Sequence, residues 1–202
     1  MSERSGHPRE GSVLCVSAGP TDGRFGGAML GDDGVLRLVA DVFVGDGDAL
    51  ATVVALASPR SLLLSSKCPE SILKLAASVS AELILVPSSH FVYKTARNRL
   101  LSLHALRLSC SGTSVSFDGV ASNDRLLASL HLESIASLAN IHMVGCAGAL
   151  LAHVSNSVNT RETDNGGESG TDGSIVSVEA LYLDTFMNLN QDCFHSLNIF
   201  CN

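Results

Sequence analysis

Hydrophobic and polar positions change period twice along the chain. Ser12 to Ser17 (SVLCVS), Arg24 to Leu30 (RFGGAML) and Val35 to Phe43 (VLRLVADVF) are short β-prone runs separated by Gly-Pro and Gly-Asp-Asp-Gly turn signals. They predict an antiparallel meander. The Gly31 to Gly34 turn calls for positive φ, and the Gly26-Gly27 pair for a bulge or a close backbone approach. The pattern then alternates. Asp46 to Ala57 (DGDALATVVALA) reads as helix, Ser61 to Ser65 as strand, Pro69 to Ser80 as helix and Glu82 to Val86 (ELILV) as strand. Ser65 or Ser66 stands ready to cap the second helix, with proline in its first turn.

Ser89 to Leu103 (SHFVYKTARNRLLSL) follows as a helix, with a polar connection from Ser109 to Asp118 and further helix from about Ala121 to Val154. Asn156 to Ser174 carries Gly, Ser, Thr and four acids with almost no apolar content, which predicts a flexible acidic insertion. Ile175 to Leu183 and Phe186 to Leu189 read as extended, and Asn190 can cap a last helix over Gln191 to Phe200. Met1 to Gly11 lack periodicity and predict a mobile tail. Three antiparallel strands followed by helix, strand, helix, strand and helix resemble the ribonuclease-H-like arrangement. The fold class expected is therefore α/β, a mixed sheet with helices on both faces.

Composition narrows the chemistry. Of 202 residues 46% are apolar and only 16% charged, enough for a buried core and too little charge for a disordered acidic tail. Thirteen basic against twenty acidic side chains leave a net charge of −7, which disfavours a stand-alone phosphate-binding surface. The six cysteines show no Cys-x-x-Cys spacing and follow no secretory signal, so they read as reduced thiols of an intracellular protein. Ser134 to Thr160 contains no charged residue, yet its serines, Asn140, His142 and His153 would need partners in lipid. A helix buried within a soluble protein fits better, and no membrane contact is expected.

No catalytic or cofactor-binding set emerges. The lysines are Lys67, Lys74 and Lys94, none preceded by glycine, so no Gly-Lys-Ser/Thr loop cradles ATP phosphates. Gly23 to Gly27 is glycine-rich but leads into a strand, the wrong context for a dinucleotide fingerprint. A ribonuclease-H-type nuclease shares acidic side chains between two metals. The first strand here offers Cys15 and Ser17 in their place, and Asp22, Asp41, Asp46 and Asp48 sit at element ends. The seven histidines show no paired-ligand spacing and imply no zinc site. The one electrostatic feature is the basic run Lys94, Arg97, Arg99 and Arg107 within an acid-free stretch from Leu83 to Phe117. Its plainest reading is a solvated helix face. Its functional reading is contact with DNA phosphate or with an acidic partner surface.

Phe186 to Phe200 (FMNLNQDCFHSLNIF), a strand, an Asn cap and a helix ending Leu-x-x-Phe, resembles the junction in MutS-family proteins between the connector and the core lever domain. Cys146 to His153 (CAGALLAH) resembles the small-residue helix that closes that connector. Ile84 to Leu103 (ILVPSSHFVYKTARNRLLSL) resembles the strand, Pro-Ser and Arg-Leu-Leu helix of the meiotic eukaryotic members. Among them the chain is most similar to the fifth eukaryotic homologue. The mismatch-binding Phe-x-Glu wedge of the repair members occurs at none of the phenylalanines. Cys193 stands where many relatives carry Thr, and the acidic insertion is longer than the usual link.

The resemblance implies a flexible tail over 1–11, a ribonuclease-H-like connector over 12–120, its helical end over 121–155, the insertion over 156–174, and the start of a truncated core domain over 175–202. It further implies a non-catalytic relay within a DNA clamp that holds branched recombination intermediates in a heterodimer with a second MutS-family subunit and promotes crossovers. The location implied is the nucleus. ATP and Mg would belong to a motor domain beyond this chain, which reads as a fragment, a truncated gene product or a short form. The alternatives are a fragment of a mismatch-repair homologue bound to mismatched DNA, or a free-standing interaction module on a catalytically dead sheet.

Overall fold

The opening apolar runs form three consecutive strands, β1 (Val13–Ala18), β2 (Arg24–Leu30) and β3 (Val35–Phe43). The computed structural model describes residues 12–19, 23–43, 48–103, 106, 121–162 and 175–183. Gly34, at φ +73°, closes the turn between β2 and β3, where its N–H bonds to the Gly31 carbonyl at 3.0 Å. The register of β2 on β3 shifts between Phe25 and Gly27, so the glycine pair marks a bulge, as its composition predicts.

The chain then alternates through α1 (Asp48–Ala57), β4 (Ser61–Ser65), α2 (Glu70–Ala77) and β5 (Glu82–Val86). A 3-10 turn (Ser88–Phe91) leads to α3 (Tyr93–Leu101), followed by α4 (Ala121–Ile135), α5 (Ile141–Glu162) and β6 (Ser177–Leu181). Pro87, extended at ψ 135°, separates β5 from the 3-10 turn, and Val92, extended at ψ 119°, separates that turn from α3, so the helix that the sequence pattern starts at Ser89 begins at Tyr93. The expected serine cap of α2 is not made. Pro69 occupies the cap position without a side-chain bond, while the Ser65 hydroxyl accepts the Lys67 N–H at 3.3 Å.

The six strands form one mixed sheet in the order β5-β4-β1-β2-β3-β6. β1, β2 and β3 pair antiparallel, and β4, β5 and β6 join in parallel. Alternation along the strands supplies two cores. Cys15, Ala28, Leu38 and Leu63 face α3 and α5, whereas Leu14, Val16, Met29, Val39, Leu62 and Leu64 face α1 and α2. Each leucine buried this fully stabilises the fold by about 1.5–3 kcal/mol relative to exposure. The mixed α/β sheet with helices on both faces is therefore the architecture that the pattern of runs predicts.

Two boundaries are corrected. Helix α5 continues to Glu162, so 156–162 are helical and not part of a flexible insertion. The stretch has no Gly or Pro, and helix-breaking glycines begin only at Gly166. Residues 163–174 lie outside the described residues. β6 pairs with β3 in the same sheet, so 177–181 belong with the connector's strands and not to the start of a core domain expected over 175–202, whose residues 184–202 lie outside the described residues. Ile175 and Val178 are buried there, and Glu179 meets Arg37 at 3.9 Å. The tail over 1–11 and the expected C-terminal strand and helix also lie outside the described residues.

Candidate functional site

Helix α5 is the element around which the remaining side chains are arranged. Its residues Met143 to Ala152 are all buried, between the sheet on one side and α3 on the other. Small residues permit this. A Cβ at Gly148 would collide with the backbone and side chain of Ala96 on α3, and one at Gly145 would lie 2.9 Å from the Phe91 carbonyl oxygen. Gly26 of β2 performs the same service from the sheet, since a Cβ there would strike the Asp41 carboxylate and the Met143 nitrogen. The Cys146 thiol donates to the Gly26 carbonyl at 3.3 Å.

The N-terminus of α5 is held by Asp41 at the end of β3. Its two carboxylate oxygens accept the N–H groups of His142 (3.0 Å) and Met143 (2.8 Å), and its own N–H donates to the Asn140 side chain at 3.3 Å. A carboxylate at this position satisfies orphan donors and meets the positive end of the helix dipole. Asp41 is thereby occupied in structure. Asp22 and Asp46 lie outside the described residues, and Cys15 is buried in β1. Among the described residues no group of three or more His, Cys, Asp and Glu side chains could hold a metal ion. Among them too, no helix is long and apolar enough to cross a membrane.

The basic run does not form one patch. Along α3, Ala96 and Leu100 make the buried stripe, and at about 100° per residue Arg97 and Arg99 fall on opposite flanks of it, with Lys94 turned to solvent. Arg97 donates to the Ser129 hydroxyl of α4 at 3.1 Å, and Arg99 to the Gly148 carbonyl of α5 at 3.4 Å. Arg107 lies outside the described residues. Beside Arg99 runs an open groove of about 400 Å³ between α3, α5 and the start of β6, with His90, Arg99, Leu103, Leu151, Val154 and Ile175 on its walls. Sequence reasoning singled out Arg99 but missed His90 and the groove, because their neighbours are brought together from three separate stretches of chain.

Two of the described thiols, Cys68 and Cys146, are poor nucleophiles. Complete burial pushes Cys146 well above the usual thiol range, aided by its hydrogen bond with Cys15, and half-burial pushes Cys68 up to about 11. All three described cysteines are free of disulfides.

A family model described as the MutS5 N-terminal domain matches residues 14–163, which takes in β1 from its second residue, β2 to β5 and all five helices named above. No curated protein matches the chain.

Proposed function

The chain belongs to the MutS5 N-terminal domain family, and is thus a MutS-family protein; from that premise we propose that it is the connector of a DNA clamp. In this reading it resembles the meiotic homologue that engages branched recombination intermediates with a second MutS-family subunit in the nucleus, and so favours crossovers. The observation that carries the reading is the family match over 14–163, a span in which the buried helix α5 ties β2, β3 and α3 into one unit.

The connector's part is mechanical. A helix packed through glycines on both sides, and clamped by Asp41 at its end, moves with the sheet as one body, which suits transmission of displacement rather than chemistry. ATP and Mg would act in the motor of the whole family protein, and the present chain itself would turn over no substrate. Lys94, Arg97, Arg99 and Arg107 are the contact candidates for DNA or the second subunit. Arg97 and Arg99 already have internal partners, so Lys94 is the freest for phosphate among those described.

The test is co-expression with a second MutS-family subunit, followed by binding to a four-way DNA junction over a salt series. Co-purification, junction binding only as the complex, and no ATP hydrolysis by this chain alone are expected. Strand cleavage or ATP turnover by the purified chain, sensitive to substitution in the chain itself, would overturn the reading. A second reading, a free-standing interaction module, is favoured by the sheet edge at β5. There Leu83 and Leu85 are 42% and 58% exposed, and such an edge is a ready template for strand addition. Partner capture abolished by Leu85→Lys, with no contribution to junction binding, would favour it.

A further inference from the structure

We propose that the groove between α3, α5 and Ile175 is a docking site for an acidic, leucine-bearing peptide segment of a partner protein, its carboxylate on Arg99 and its apolar side chain between Leu103, Leu151 and Val154. The inference does not depend on the clamp reading, since it stands on the groove alone. Three observations lead to it. The walls combine apolar side chains with Arg99 and His90 and include no acidic residue, so a positive spot lies on a chain whose net charge is −7. Charge complementarity therefore selects an acidic group.

Arg99 also has capacity to spare. A guanidinium carries five N–H donors in a planar fork, and that of Arg99 makes one bond within the described residues, the 3.4 Å contact to the Gly148 carbonyl. A carboxylate can take two of the others side by side. The third observation is the imidazole of His90. Its Nδ1 is buried and has no hydrogen-bond partner among the described residues. His90 is thus a polar ring with unmet hydrogen-bonding capacity in the same wall. A concave site of about 400 Å³ with apolar sides is the shape of a side-chain pocket. Nucleic acid fits it less well, because no Phe, Tyr or Trp ring on its walls offers a broad stacking platform.

The probe is a fluorescein-labelled peptide alternating Glu and Leu, followed by anisotropy with the full chain, beside its Gln-for-Glu counterpart and a labelled oligo-dT strand. The Glu peptide is expected to bind, the Gln peptide at least about tenfold more weakly, and Arg99→Glu to cost about tenfold or more. Lys74→Glu, the same charge change on α2 across the sheet, should leave affinity as it is. Val154→Asn alters no charge and should also weaken binding, which keeps the test decisive if Arg99→Glu fails to fold. Equal binding of the Glu and Gln peptides, or no peptide binding at all, would overturn the proposal. So would oligo-dT displacing the peptide with the same dependence on Arg99, since the site would then read phosphate.

Discussion

The Asp41 carboxylate accepts the backbone N–H of Met143 at 2.8 Å, across 102 positions of sequence. The end of β3 thereby supplies the cap that α5 lacks locally. Replacing Asp41 with Ala leaves two helix N–H groups without their acceptor and removes a charge from the dipole. A loss of about 1–2 kcal/mol in unfolding free energy is expected, read from urea titration, and Asp41→Asn should lose less because one acceptor oxygen remains. Stability unchanged in Asp41→Ala would mean that solvent caps the helix as well as the carboxylate does.

Gly148→Ala sets two effects against each other. Alanine favours helix over glycine by roughly 0.8–1 kcal/mol. The new methyl, however, would run into the Cα and Cβ of Ala96, backbone and stub that cannot swing aside. Overpacking of this kind typically costs about 1–3 kcal/mol, so the substitution should be net destabilising, with a lower thermal midpoint. At Gly26 the added methyl would meet the Asp41 carboxylate and the Met143 nitrogen together, and Gly26→Ala combined with Asp41→Ala should be less than additive.

Local elements were readable from the sequence because their causes are local. Gly34 takes the positive φ that its turn demands, the Gly26-Gly27 pair sits at a bulge, and alternation sorts Leu14 from Cys15 between two cores. What was not readable depends on pairing at a distance. Asp41 shows no sign in its own neighbourhood of the helix it caps, and Ile175 to Leu181 joins the first domain's sheet only because β3 has a free edge. Charge alone groups the basic run, although a two-residue spacing on a helix already sends Arg97 and Arg99 to opposite flanks. The groove was beyond reach of any pattern, since His90, Leu151 and Ile175 share no periodicity.

Thiol chemistry gives a pH-dependent outcome. Cys68, raised from 9.0 to about 11 chiefly by burial, holds about a hundredfold less thiolate at pH 8 than an ordinary cysteine. Iodoacetamide should therefore label the native Cys68 about that much more slowly than the urea-unfolded chain, and Cys15 and Cys146 more slowly still. The folded form keeps protons that the unfolded chain has lost above the ordinary value. The contribution to stability is thus complete below about pH 9 and declines as pH rises toward 11. A urea midpoint that stays level through this window, or falls equally in Cys68→Ser and wild type, would remove Cys68 as its source.

β6 is an edge strand, paired on one side only, and this makes it separable from the rest. Val178 is 9% exposed and Ile175 5%, while Val176 and Tyr182 on either side are 71% and 57% exposed. The Arg37 to Glu179 pair, at 3.9 Å and with Glu179 mostly exposed, adds little. Arg37 is engaged more closely by Asp33, at 2.6 Å. The ladder to β3 and the burial of Val178 then together hold the strand, and Val178→Asp, which removes the second, should release it. In hydrogen exchange the amides of Ser177 to Leu181 are expected to lose protection while those of β1 and β4 in the sheet centre keep theirs. Loss of protection across the whole sheet would show instead that β6 is integral to the cooperative fold, and that the handover to any following domain lies beyond it.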